Sequence, residues 1–107
     1  MKRKELIIKL QECANACFHC ADACLQEKDV SHMRDCIQSD QVCGSICLTT
    51  SKVLSGSFKD VNDLIMYCAK VCGICAEECS KHTHGHCQEC AKACKDCMDA
   101  CLSYLNK

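Results

Sequence analysis

Sixteen of the 107 residues are cysteine, and nearly all of them fall on one spacing. Cys13, Cys17, Cys20 and Cys24 are separated by steps of 4, 3 and 4, and Cys68, Cys72, Cys75 and Cys79 repeat those steps. Cys87, Cys90, Cys94, Cys97 and Cys101 follow with steps of 3, 4, 3 and 4. A sparser run holds Cys36, Cys43 and Cys47, with Asp40 where the period asks for another cysteine. Alternating steps of three and four return to one face of an α-helix. Thiols therefore stand where other helices carry Leu and Ile, and helices packed through those faces would enclose a column of sulfur. Thiolate is a soft ligand, selective for Cu(I), zinc and iron–sulfur clusters over hard ions.

Three considerations rank those metals. Buried charge is costly unless neutralised, and thiolates matched by about one Cu(I) each sum to roughly zero when they bridge neighbouring ions. A four-cysteine zinc site keeps a net negative charge, and several such sites buried together would repel. Zinc also takes its own tetrahedral set of ligands, usually on short loops, whereas a ladder of pairs on rigid helices suits low-coordinate ions strung along an axis. The bacterial iron–sulfur run, which ends in Cys-Pro, does not occur, and the chain has no proline. Cu(I) is the expected cargo. A zinc or iron–sulfur protein is one alternative. A thiol redox protein using Cys-x-x-Cys pairs such as Cys17/Cys20 or Cys72/Cys75 is another, but it would need an exposed, low-pKa thiol near a helix N-terminus.

The elements that must hold this ladder follow from the same period. Absent proline and only four glycines favour long helices. Four are predicted, over about residues 2–27, 32–54, 59–81 and 87–105. The breaks are Lys28 to Ser31, with Asp29 and Ser31 as candidate N-caps, then Ser55, Gly56 and Ser57, then the stretch from His82 to His86. Short connections make neighbours antiparallel, so the expected fold is all-α: one domain, 1–107, an up-down-up-down four-helix bundle with a cysteine-lined core.

Extending each stripe gives the bundle two unlike ends. One collects Leu6, Leu10, Thr50, Leu54, Val61, Ile65, Tyr104 and Leu105, an apolar plug. The other collects Met33 and His82, with His32, His84 and His86 close by. These four histidines are candidate ligands at an open end, against the alternative of a solvated polar turn. Asp40 is a candidate carboxylate ligand or thiol partner, against the alternative of a bundle-edge position. Met33 is a candidate Cu(I) relay or a gap filler. His19 and Tyr67 lie off the stripes and are assigned no role.

Composition narrows the function. A formal net charge of -1 supplies no basic field for nucleic acid, and 4% aromatic residues leave little to stack on bases. No segment approaches the roughly 20 apolar residues of a membrane span. The N-terminal stretch is charged but lacks the apolar run and cleavage site of a secretion signal. A cytoplasmic location is expected, where thiols stay reduced and dense cysteine points to metal rather than disulfides. Protonated cysteine behaves as a small hydrophobe, so the core should fold empty and fill afterwards.

Over essentially its whole length the chain resembles the four-helix-bundle copper storage proteins of the cytosolic bacterial branch. The resemblance is carried by the Cys13–Cys24 and Cys68–Cys79 runs, the Cys36…Asp40…Cys43…Cys47 pattern, the histidine turn His82–His86 and the Cys87–Cys101 run. It implies many Cu(I) ions stored inside the core and loaded through the histidine end, without catalysis. It also implies a homotetramer of bundles. A copper chaperone or a low-molecular-weight thiol is the candidate donor.

Overall fold

Four helices follow one another in the computed structural model, which describes residues 1–106. They are α1 (Arg3–Leu25), α2 (Arg34–Ser55), α3 (Asn62–Ser80) and α4 (Gly85–Leu105), with a 3-10 turn at Val30–Met33 ahead of α2. No strand occurs among the described residues. Helix α1 packs on α2 and α4, and α3 packs on α2 and α4, while the diagonal pairs face each other only across the core. This is the expected antiparallel bundle, drawn out into a rod 45 Å long and 20 × 18 Å across.

The stripes decide which way each helix faces. Helix α1 buries Leu6, Leu10 and its four cysteines, and α4 buries its five cysteines and Ala100. Small residues let the helices of each hairpin approach closely. A Cβ on Gly44 of α2 would stand 2.7 Å from the Phe18 ring of α1, and one on Gly73 of α3 would stand 3.1 Å from Met98 Sδ of α4. Glycine inside a helix costs about 1 kcal/mol relative to alanine, so these positions exchange helix propensity for close packing.

Helix boundaries depart from the periodicity in instructive ways. Asp29 and Ser31 do not cap α2. Ser31 Oγ donates to Asp29 Oδ1 at 2.7 Å, and the His32 N–H donates to the Asp29 carbonyl at 3.1 Å. That tight turn absorbs His32 and Met33, so α2 begins at Arg34 rather than at His32. Helix α3 begins at Asn62 rather than near Lys59, because the residues before it are held by Arg3. Its guanidinium donates to the Gly56 carbonyl at 2.9 Å, to the Phe58 carbonyl at 2.6 Å and to Tyr104 Oη at 3.3 Å. Carbonyls spent on Arg3 are turned away from a helical ladder. Helix α4 starts at Gly85, two residues early, which moves His86 from the turn into the first helical turn. Helix α1 ends at Leu25, leaving Glu27 in the following turn.

The rod has two unlike ends, as the stripes required. At one, Leu6, Leu10, Leu54, Val61 and Ile65 are all at most 2% exposed, and Thr50 is buried with its hydroxyl donated to the Ile46 carbonyl at 2.7 Å. Arg3 bolts this end shut. The other end carries the α1–α2 and α3–α4 connections and the histidines.

Candidate metal centre

Every cysteine is buried and free. The sulfurs line the axis and touch in sequence from the closed end outward. Cys47 Sγ lies 3.8 Å from Cys68 and 3.6 Å from Cys72, and Cys72 lies 3.7 Å from Cys43. Cys13 lies 3.9 Å from Cys43 and 3.8 Å from Cys94, which reaches Cys17 at 3.6 Å and Cys90 at 3.9 Å. Nearer the histidine end, Cys36 stands 3.4 Å from Cys79, and Cys24 stands 3.8 Å from Cys20 and 3.9 Å from Cys87. Cys97 and Cys101 are fully buried on α4, on the plug side of Cys94. These separations are nearly twice a disulfide bond. They lie at or just below those of two sulfurs sharing one ion: bonds of about 2.3 Å, the length of zinc–thiolate bonds, put the sulfurs roughly 3.8–4.6 Å apart from tetrahedral to linear, so pairs must part by a few tenths of an ångström or more to admit one.

The four-donor groups along the column overlap. Cys13 belongs both with Cys47, Cys72 and Cys97 and with Cys17, Cys43 and Cys94, and within each group the sulfurs lie within 4.8 Å of one another. Cys17 and Cys94 recur in a third group with Cys75 and Cys90. Ions that each demand four private ligands cannot fill such sets together, whereas bridging thiolates can.

Asp40 takes its place inside the column, fully buried, and the bundle-edge alternative is thereby set aside. Cys75 and Cys90 each donate to Asp40 Oδ1 at 3.2 Å, Cys79 donates at 3.4 Å, and Cys36 reaches Oδ2 at 3.9 Å. Burial first, then the neighbouring Cys90 and Cys75 sulfurs, push its carboxyl up to about 12, so it is protonated in the empty core. One oxygen donor thus stands among sulfurs, in a group with Cys20, Cys79 and Cys90.

The histidines form the mouth, in two arrangements. His86 turns Nδ1 inward to three thiols: Cys87 at 3.5 Å, Cys20 at 3.6 Å and Cys24 at 3.8 Å. Its Nε2 points outward to Glu27 Oε2 at 2.9 Å, and the same carboxylate meets His84 Nε2 through Oε1 at 3.4 Å. On the other side His82, almost buried, holds Glu78 Oε2 through Nε2 at 3.2 Å, and its ring meets the exposed His32 edge-on at 5.5 Å. Met33 is buried at the base of the turn. His19 is exposed and Tyr67 half-exposed, away from the column.

The thiols of the mouth, like those deeper in, are shifted in both directions. Burial pushes the thiols of Cys24 and Cys87 up. Cys20 is pulled down to about 5 by the thiols of Cys36 and Cys79, with His86 contributing. For His86, burial opposes the charge, but Cys20 and Glu27 outweigh it and the imidazole is raised.

The two glutamates went unread in the sequence, though each carried a signal. Glu27 stands three residues past Cys24, so it continues the α1 stripe, and Glu78 stands one helical turn before His82.

Fold and site together define a thiol-lined, metal-binding four-helix bundle. The copper storage protein family matches residues 1–106, and the chain belongs to that family. It is 39% identical over 92 residues to the cysteine-rich protein YhjQ of Bacillus subtilis, covering 86% of this chain and 85% of that one. A cytosolic copper storage protein from Streptomyces lividans, solved with five coppers, superposes with a TM-score of 0.95 at 38% identity over 98% of this chain and 92% of its own. The Cu(I)-bound copper storage protein BsCsp3 of Bacillus subtilis superposes at 0.89 with 37% identity over 94% of each chain.

Proposed function

We propose that this chain is a reversible, high-capacity cytosolic store of Cu(I), serving to hold and detoxify the ion without catalysis. The observation that carries this reading is the unbroken column of sixteen buried, unpaired thiols with overlapping donor groups. The sixteen cysteines bind the ions, Asp40 contributes an oxygen donor, and His86 receives Cu(I) at the mouth together with Cys20, Cys24 and Cys87. His32, His82 and His84 serve the same rim. An ion passes inward by bonding to the next sulfur before leaving the last, since most thiols have several neighbours within 4 Å. Each ion displaces thiol protons, so loading acidifies the solution.

The relatives that contain copper support Cu(I) over zinc, and the one described as cytosolic supports the location. No helix among the described residues is long and apolar enough to cross a membrane. A low-molecular-weight thiol or a copper chaperone is the donor in this reading. A tetramer of bundles is part of this reading, and exposed apolar side chains such as Met66, Tyr67 and Ile74 on α3 are available for such contacts.

Anaerobic titration of the reduced protein with Cu(I), against a chromophoric Cu(I) chelator, tests the store. The chelator should stay colourless until roughly one Cu(I) per cysteine has been added. Colour after a few equivalents would end the continuous-column reading.

A further inference from the structure

We infer that Glu27 is the positioning residue of the mouth: it holds the outward Nε2 of His86 by a hydrogen bond and faces that of His84, so the His86 imidazole keeps Nδ1 for copper. This rests on the proposed loading route through the histidines and assigns the group that makes it competent.

A neutral imidazole carries one proton, and whichever nitrogen is hydrogen-bonded to an acceptor keeps it. Glu27 Oε2 lies 2.9 Å from His86 Nε2, and Oε1 lies 3.4 Å from His84 Nε2. The His86 proton is thus held on the outer side, while His84 lies within ion-pair distance of the same carboxylate. What remains on a neutral His86 is Nδ1, facing three sulfurs at 3.5–3.8 Å. What remains on His84 is an Nδ1 that is the one buried side-chain nitrogen or oxygen among the described residues without a hydrogen-bond partner. The two rings stand 5.4 Å apart with planes 31° from each other, so the carboxylate that holds His86 also faces its neighbour. Carboxylates that brace a ligating histidine fix its tautomer and orientation in this way.

The placement is unlike that of the other mouth pair. Glu78 and His82 are one turn apart on the same hairpin, and their contact follows from helix geometry. Glu27 lies after α1 and reaches across to the start of α4, so it fastens one hairpin to the other at the rim. An exposed ion pair in that position would contribute little stability. Its effect is directional, through Nδ1.

Nitrogen NMR of the histidine rings in the reduced, copper-free protein, above the imidazole titration, reads the tautomers directly. Wild type should show His86 protonated at Nε2. Glu27→Ala should show mixed tautomers, and Glu27→Gln, which keeps an acceptor oxygen, should retain most of the bias. In parallel, Cu(I) is delivered from a chromophoric chelate and followed by stopped flow. Glu27→Ala should slow loading on the order of tenfold at unchanged capacity and unchanged melting temperature, while Glu27→Gln largely keeps the rate. In a His86→Ala background, Glu27→Ala should add no further slowing. Unaltered tautomers in Glu27→Ala, or equal slowing with and without His86, overturns the assignment. If His86→Ala itself loads at the wild-type rate, the histidine route falls, and Glu27's part in loading falls with it even where the tautomer shift survives.

Discussion

The two ends of this bundle are built from the same four helices and do opposite things. At the closed end, Leu6, Leu10, Leu54, Val61 and Ile65 meet in a dry plug, and Arg3 ties α1, the α2–α3 connection and α4 together over it. At the mouth the contacts are imidazole to carboxylate and imidazole to thiol, several of them partly exposed. Apolar burial at about 25 cal/mol per Å² stabilises the empty chain. The mouth gives up that stability for groups that exchange ligands. Between them the protonated thiols pack as small hydrophobes, so the column belongs to the plug's physics when empty and to the mouth's chemistry when loaded.

The plug is the place to break the comparison hardest. Leu10→Ala should destabilise the reduced, metal-free protein by about 2–5 kcal/mol, read from thermal melts of a helical circular dichroism signal. The loaded variant should lose the same increment from a much higher starting stability, because bound ions stabilise both native states equally by mass action. Copper capacity should not change. A metal-free chain that is random coil until copper arrives would overturn the division of labour altogether.

Asp40 sharpens it next. Its folded pKa, about 12, lies above the unfolded value of 3.8. Between those values the native state holds one more proton than the unfolded state, so this group's contribution is full below pH 3.8 and is lost as pH rises. This one proton should therefore weaken the metal-free bundle with increasing pH, by at most about 1.4 kcal/mol per unit. Denaturant titrations from about pH 5 to about pH 7 on wild type and Asp40→Asn should differ in slope by that amount, the other titrating groups, Cys20 and His86 among them, being common to both. Equal slopes in the two proteins would mean the carboxyl ionises inside the column.

At the mouth, replacing His82, His84 and His86 together with Ala should slow Cu(I) loading tenfold to a hundredfold in stopped flow, a range typical of disturbed metal-ligand shells, and leave capacity nearly intact. Lost capacity would show that the histidines belong to the store and not to its opening.

The column and the contrast between the ends were legible in the sequence because both rest on one periodicity, which survives any detail of packing. Asp40 was legible as a gap in a stripe, and its burial followed. The histidine end was legible as a place but not as an arrangement. Glu27 lay on the α1 stripe, yet its partners are on α4, and no local pattern links residues 59 positions apart. The same limit moved the start of α3, since Arg3 takes the Gly56 and Phe58 carbonyls from more than fifty residues away. At α2, Asp29 and Ser31 had the right chemistry for caps, but they satisfy each other in a tight turn, a choice that composition alone does not determine.

The smallest effect should come from a single thiol, and its smallness is informative. Cys72 sits mid-column with Cys43 at 3.7 Å and Cys47 at 3.6 Å. Cys72→Ala removes one donor from a set in which neighbours share ions. Capacity measured by chelator competition should drop by about one Cu(I), and stability of the empty protein by about 1 kcal/mol, less than at Leu10 because less volume is lost. Discrete four-ligand sites would behave differently, since sixteen cysteines would make only about four of them and loss of one would remove about a quarter of the capacity instead of about a sixteenth. The fraction of capacity lost therefore separates a continuous store from a chain of separate centres. A plug residue of similar burial should show the reverse ratio of stability to capacity.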